Sequence, residues 1–149
     1  MNDAPILICF DGSEHAGRAI ETAASLLGNR RAVVLDVAPF LTVAESFATV
    51  SSAVPGTGFE DLNEADAFDR ARQGVELAER AGFSAEPRAW EASSTWEGIV
   101  EVADQVDAAV IVIGSRGLSG LREAMEGSVS HEVAEHAGRP VLIVPPPKG

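Results

Sequence analysis

Hydrophobic residues in this chain fall into short continuous runs, separated by longer stretches in which they recur at helical spacing. Continuous apolar runs are typical of strands buried on both faces of a parallel sheet, whereas helical spacing indicates a helix with one buried face. The runs predict strands over residues 5–10, 32–38, 108–113 and 141–144, and a further strand is predicted over residues 85–90.

Capping residues mark where the first two helices begin and end. Ser13 is predicted to cap a helix that stops at Gly28, since a serine hydroxyl can accept from the first free amides and glycine favours the C-terminal turn. A second helical pattern starts at Asp61 and is ended by Gly82. The apolar residues that share its predicted buried face are Phe68, Ala71, Val75 and Ala78.

Two later helices are also predicted. Ser94 and Glu97 match a capping box, in which each side chain bonds the backbone N–H of the other residue. The last helix is predicted to begin near Ser128 and to end at Gly138. Residues 39–60 are apolar but irregular, and we predict a helix that leads into a mobile loop there.

This alternation of strands and helices predicts a single α/β domain. Such a pattern implies a parallel sheet of five strands with right-handed crossovers and helices on both faces, which is a three-layer α/β/α architecture. The domain is predicted to span residues 1–145, and residues 146–149 form a C-terminal tail. Ligands of open parallel sheets bind at the carboxyl ends of the strands. Asp11 and Gly114 both follow a predicted strand, so they face one crevice if those strands are neighbours.

A glycine-rich segment behind the fourth strand carries the candidate chemistry. Its fixed residues are Gly114, Gly117, Gly127 and Ser128, in the spacing G-x-x-G-x9-G-S. Backbone amides in a glycine turn and at a helix N-terminus attract phosphate. Neither the Rossmann pattern G-x-G-x-x-G after the first strand nor the P-loop pattern G-x-x-x-x-G-K-[ST] is present. The spacing therefore indicates a different kind of nucleotide site.

This set of features resembles the ATP-binding branch of the universal stress protein family. The resemblance covers nearly the whole chain: the first strand ends in Asp11-Gly12-Ser13-Glu14, the glycine motif follows the fourth strand, and Arg-Pro-Val-Leu-Ile-Val closes the chain over residues 139–144. It implies an adenine nucleotide alpha hydrolase-like fold with the strand order 3-2-1-4-5.

The resemblance also implies a role for each matching position. Asp11 would contact the ribose, and the backbone of Val37 would meet the adenine edge. Gly114 and Gly117 would allow close approach of the ribose and phosphates. Amides and hydroxyls of the remaining motif residues would bind the phosphates: Gly127, Ser128, Val129 and Ser130. Arg116 and Arg122 could offset phosphate charge with their cationic side chains, and they rank below the glycines because their positions within the motif are variable.

Charge and composition exclude several other classes of partner. The formal net charge is −12, from 23 acidic against 11 basic residues, which disfavours binding to nucleic acid or an anionic membrane. No apolar stretch approaches the ~20 residues that span a bilayer. The lone cysteine, Cys9, lies in an apolar run and is predicted to be an inert buried thiol. The beginning of the chain lacks signal-peptide features, so we expect a cytoplasmic protein.

The expected ligand is ATP with Mg²⁺, the metal being held mainly by phosphate oxygens rather than by a protein metal site. No nucleophile–base pair can be assembled from the pattern, so no catalytic residue is predicted and a regulatory stress-response module is favoured over an enzyme. The resemblance further implies a homodimer joined along residues 141–144, an apolar edge strand that invites pairing. His131 and His136 lie five apart, which favours solvated surface positions over a metal site.

Three alternatives remain open at this point. Asp11 or a water in the crevice could support slow Mg²⁺-dependent hydrolysis of ATP. The chain could instead be a dimeric interaction protein that binds no nucleotide. Cyclic AMP could also replace ATP as the ligand, because the sequence offers no physical basis for separating the two.

Overall fold

Five parallel strands form one sheet, in the order β3-β2-β1-β4-β5, in the part of the chain that the structure describes. The structure is a computed structural model, and it describes residues 3–39, 59–115 and 123–147. The predicted strand order is confirmed. The elements are β1 (Ile6–Cys9), α1 (Glu14–Leu27), β2 (Arg31–Pro39), α2 (Phe59–Ala81), β3 (Ser84–Ala92), α3 (Thr95–Val106), β4 (Val110–Gly114), α4 (Glu123–His136) and β5 (Val141–Val144).

The two faces of the sheet carry separate hydrophobic cores. Side chains alternate along β1, so Ile6 and Ile8 pack on one face with α1 and α2, whereas Leu7 packs on the other with α3 and α4. All three of these side chains are fully buried. The predicted three-layer α/β/α architecture follows from this division of the apolar residues.

The ends of α1 agree with the capping prediction. Ser13 has extended backbone angles, and its hydroxyl accepts from the amide of Ala16 at 3.1 Å. Gly28 ends the helix with φ of 72°, a backbone conformation that favours glycine, and its amide donates to the carbonyl of Ala24.

The buried face of α2 differs from the prediction at Phe68. Its side chain is 42% exposed, whereas Ala67, Ala71 and Ala78 are fully buried. Ala71 and Ala78 are buried as predicted, and because each residue of a helix turns by about 100°, Ala67 faces the core while the adjacent Phe68 does not. Small residues at the contact let α2 lie close to the sheet, and this selects the alanine stripe over the phenylalanine.

The capping box predicted for α3 is wrong. Ser94 is the N-cap, but its side chain makes no capping bond and its Oγ has no hydrogen-bond partner among the described residues. Glu97 accepts instead from the hydroxyl of Ser93 at 3.0 Å, which draws the glutamate away from the backbone amide of Ser94.

The predicted start of the last helix is also wrong. α4 begins at Glu123 rather than near Ser128, and it ends at His136, close to the predicted stop at Gly138. The prediction over residues 39–60 falls almost wholly on residues 40–58, outside the described residues; α2 begins at Phe59, before the predicted start at Asp61. Among the described residues, no helix has the length and apolar character that crossing a membrane requires.

Candidate functional site

A cavity opens at the carboxyl ends of β1, β2 and β4, the edge at which the sequence predicts the ligand site. Three of the predicted site residues line it together: Asp11 after β1, Val37 in β2 and Gly114 at the end of β4. β1 pairs with both β2 and β4, so the sheet topology brings these distant positions together. The deep wall is apolar and includes Leu35, Ile99 and Ile113.

Asp11 is held by a local turn. Its Oδ1 accepts from the amide of Ser13 at 2.9 Å, which fixes the carboxyl group at the start of α1. Gly12 between them has φ of 87°, a conformation that glycine adopts without strain. The Asp-Gly-Ser sequence therefore has a structural reason, and one carboxylate oxygen of Asp11 remains available to a ligand.

Val37 lies in the part of β2 that continues beyond the end of β1. The pairing of β1 with β2 ends at Cys9 opposite Leu35, and the amide of Phe10 then donates to the carbonyl of Leu35 at 2.9 Å. Backbone groups of alternate residues in a strand face the same neighbour. Val37 therefore directs its N–H and C=O to the side of β1 beyond that strand's end, where the crevice lies.

The close packing of α3 fixes the position of Val37. A Cβ added to Gly98 would lie 2.7 Å from Cγ1 of Val37 and 3.0 Å from Cβ of Ala92. Gly98 is buried, so α3 can approach β2 at this point only because residue 98 has no side chain.

The rest of the glycine motif divides into described and undescribed parts. Gly114 ends β4 opposite Val144, and the amide of Ser115 donates to the carbonyl of Val144 at 3.0 Å. Arg116, Gly117 and Arg122 lie outside the described residues. The motif residues Gly127, Ser128, Val129 and Ser130 all lie within α4.

The early start of α4 changes what the end of the motif offers. Backbone amides of the first helical turn are free, whereas those further along bond to carbonyls of the preceding turn. Because α4 begins at Glu123, the free amides belong to its first turn and not to residues 127–130. Val129 packs against the core shared by α3 and α4, and Ser130 is 6% exposed.

An ion pair in the crevice wall was not predicted from the sequence. Asp36, on β2, lines the cavity and is 5% exposed, and it accepts from Nε of Arg70 on α2 at 2.7 Å. A second contact joins NH2 of Arg70 to Oδ1 at 3.4 Å. The available signal was an acid inside an apolar strand, which needs a buried partner. Nothing in the sequence identifies that partner.

Burial governs the titration of the groups in this wall. It raises the pKa of Asp36 to about 6, although the hydrogen bond and charge of Arg70 oppose the shift. Burial, reinforced by the nearby carboxylates of Asp11 and Asp36, also raises the pKa of the Cys9 thiol. Cys9 therefore stays protonated, which agrees with the expected inert thiol.

The histidines of α4 lie on its surface. His131 is 67% exposed beside Glu135. His136 is 48% exposed, and its ring stacks on Trp96 with 4.6 Å between centroids. Ligand atoms of Glu132, Glu135 and His136 come within 4.8 Å of one another, but exposed acidic groups at helical spacing are common without a metal.

Comparison with known proteins agrees with this architecture. The model of the universal stress protein family matches residues 4–145. The chain belongs to the universal stress protein family. The universal stress protein YxiE of Bacillus subtilis is 30% identical over 147 residues, covering 93% of this chain and 97% of the relative. The universal stress protein MJ0531 of Methanocaldococcus jannaschii is 33% identical, covering 96% and 82% respectively.

Solved structures of universal stress proteins share the fold. One from Archaeoglobus fulgidus superposes with a TM-score of 0.66 at 27% identity, covering 95% of this chain and 98% of that one. Two further universal stress proteins are complexes, one with cAMP at TM-score 0.65 and 23% identity, and one from Archaeoglobus fulgidus with dAMP at 0.62 and 24%. The first covers 95% of this chain and 96% of that one, and the second 95% and 97%.

Proposed function

We propose that this universal stress protein binds an adenine nucleotide, ATP with Mg²⁺, at the carboxyl ends of its central strands and acts as a regulatory module. One observation carries the proposal: Asp11 after β1, Val37 in β2 and Gly114 at the end of β4 line the same cavity. Crevices of this kind, where neighbouring strands lead to helices on opposite faces, are the usual ligand sites of open parallel sheets.

The chemistry of the cavity fits a nucleoside. The apolar wall offers contact for a flat base, and the open backbone edge of Val37 offers a donor and an acceptor to its rim. Asp11 keeps one carboxylate oxygen for a sugar hydroxyl. The complexes with cAMP and dAMP support the proposal because each is a protein of the same fold that holds an adenine nucleotide.

The phosphates are assigned to the glycine motif. Gly114 permits close approach at the end of β4, and Gly117, Arg116 and residues 127–130 would hold the phosphates, with Mg²⁺ on the phosphate oxygens. Amides of residues 127–130 are bonded within α4 when that helix begins at Glu123. Binding through them therefore requires α4 to begin later in the complex.

Binding is proposed rather than rapid turnover. The titratable side chains that line the cavity, among the described residues, are Cys9, Asp11 and Asp36. The pKa of Cys9 is raised, and Asp36 is occupied by Arg70. Asp11 is anchored at one oxygen and has no base beside it among these lining groups, so a positioned nucleophile–base pair is not available from them.

Identification of the bound molecule tests this function. The purified protein is denatured, the supernatant is chromatographed for adenine nucleotides, and the ligand-free protein is titrated with ATP and Mg²⁺ in a calorimeter. We expect saturable binding, and Gly127→Val should abolish it because a branched side chain blocks close approach of phosphate. Circular dichroism checks that this variant stays folded. The proposal is refuted if no nucleotide co-purifies with the wild type and the wild type shows no measurable binding.

A matched pair of variants tests the assignment of Asp11. Asp11→Asn keeps an oxygen that can accept from Ser13 but removes the charge, so we expect affinity for ATP to fall by about tenfold. Asp69→Asn removes an exposed charge from α2 and should leave affinity unchanged. Equal affinities of the two variants would contradict a ligand role for Asp11.

A further inference from the structure

Arg70, on α2, contacts Asp36 of the cavity wall and has hydrogen-bond donors that this contact does not use. Its Nε and NH2 contact Asp36, but a guanidinium carries five N–H donors, and no other acceptor contacts it among the described residues. Its side chain is 36% exposed. One edge of the guanidinium is therefore held by Asp36, and its other N–H donors are available to a ligand.

The stem of Arg70 lies over the Asp-Gly-Ser turn. A Cβ added to Gly12 would be 3.6 Å from Cδ of Arg70, and the neighbouring carboxylate of Asp11 acts electrostatically on the guanidinium. Arg70 and Asp11 thus flank the same corner of the site, one as a donor and the other as an acceptor.

Local charge limits what this corner can bind. The charged side chains that line the cavity, within the described part of the chain, are the two carboxylates Asp11 and Asp36. A single guanidinium against two carboxylates leaves the corner net negative, which disfavours a phosphate. A neutral diol fits better, because each hydroxyl can both donate to a carboxylate and accept from an arginine.

We propose that Arg70 and Asp11 together recognise the vicinal hydroxyls of the ligand's ribose, and that Asp36 is the residue that positions Arg70. The proposal rests on the proposed nucleotide site and adds sugar specificity to it: the site prefers ribonucleotides to deoxyribonucleotides. A site built to hydrogen-bond a hydroxyl rejects an analogue that lacks it, because the donor and acceptor are left unpaired.

The test is a calorimetric titration with ATP, 2′-deoxyATP and 3′-deoxyATP in excess Mg²⁺. We expect the wild type to bind at least one deoxy analogue about tenfold more weakly than ATP. In Arg70→Gln this ratio should collapse to about one, while the exposed Arg72→Gln on the same helix keeps the wild-type ratio. Asp36→Asn, which loosens Arg70, should lie between them.

The ratio separates recognition from a merely structural role. A variant that only disturbs the pocket weakens all three ligands equally, so an unchanged ratio in Arg70→Gln would overturn the inference. If Arg70→Gln does not fold, Arg70→Lys keeps the charge beside Asp36 but loses the planar fork and should show the same collapse. Wild-type binding of all three ligands with equal affinity would overturn this inference alone, whereas no binding at all would overturn the nucleotide site with it.

Discussion

Asp36 shows how one buried side chain can link the site to pH. It is the acidic residue within the apolar run 32–38 of β2, and among the described residues its carboxylate has a single strong partner, Arg70 at 2.7 Å. Loss of hydration on burial destabilises the charged carboxylate more than Arg70 stabilises it, so the pKa rises from 3.8 to about 6. The folded protein therefore holds this proton more tightly than the unfolded chain does.

The consequence is a fall in stability with rising pH. The contribution of Asp36 is fully present below about pH 4 and is lost as the pH rises through about 6, because the unfolded state binds fewer protons in that window. We expect the unfolding free energy of wild type relative to Asp36→Asn to fall by roughly 3 kcal/mol across it. Urea denaturation at several pH values measures this, with Asp69→Asn for comparison. A difference that does not vary with pH would contradict the shifted pKa.

Helix α2 depends on a residue without a side chain. A Cβ added to Gly74 would lie 2.6 Å from Cγ1 of Val34 and 2.8 Å from Cδ1 of Phe10, so the helix lies directly on the sheet there. Glycine in a helix interior costs about 1 kcal/mol relative to alanine. The close contact of α2 with the sheet at Gly74 offsets this cost, and it holds the part of α2 that contains Arg70 against β2.

Substitution by alanine should have opposite effects at two helical glycines. Gly74→Ala overpacks the core, and we expect it to lower the free energy of unfolding by about 1–3 kcal/mol. Among the described residues, a Cβ at Gly17 on α1 would meet only Leu77 Cδ1, at 3.7 Å, so Gly17→Ala should raise stability by up to about 1 kcal/mol. Chemical denaturation of both variants decides the matter, and a stabilised Gly74→Ala would refute the close contact.

Arg139 joins the end of α3 to the start of β5. Its NH1 donates to the carbonyls of Ala103 and Ala108 at 3.0 and 2.7 Å, and its NH2 pairs with Asp104. Arg139→Met keeps the stem but removes these donors, so we expect a loss of about 1–3 kcal/mol in thermal or urea unfolding. Arg72→Met, exposed on α2, should change stability little.

In the described sheet, β5 is one of the two edge strands, and β3 is the other. β5 pairs with β4 on one side, in the described sheet, and Ile143 on it is 39% exposed. An exposed apolar edge is a template for pairing, and a second copy of the chain could satisfy it around a two-fold axis. The homodimer along Val141–Val144 therefore stays a prediction, and the exposed apolar edge of β5 is the physical reason for it.

A charge on that edge tests the assembly. We expect the wild type to be dimeric by light scattering after size-exclusion chromatography, and Ile143→Lys to be monomeric because the lysine would be buried without a partner. Leu26, 64% exposed on α1, gives the control: Leu26→Lys should remain dimeric. A monomeric wild type, or a dimeric Ile143→Lys variant, would rule out this edge as the interface.

The sequence by itself determined the five strands and their alternation with helices, whereas the strand order came from the resemblance to the universal stress protein family. Apolar runs bury strands on both faces, Ser13 begins α1 and Gly28 ends it by local chemistry, and these signals need no distant partner. It also predicted Asp11 and Gly114 at one edge, because parallel strands end at the same edge, and the family resemblance added Val37. Helix phase and helix starts differ from the prediction at two places: Phe68 is exposed, and α4 begins at Glu123.

Only the tertiary structure decided which side chains meet. Asp36 and Arg70 are separated by 34 positions, and the register of α2 on the sheet brings them together. Periodicity reports which face of an element is buried, whereas pairing across elements depends on distances of a few ångströms that only the packed core fixes.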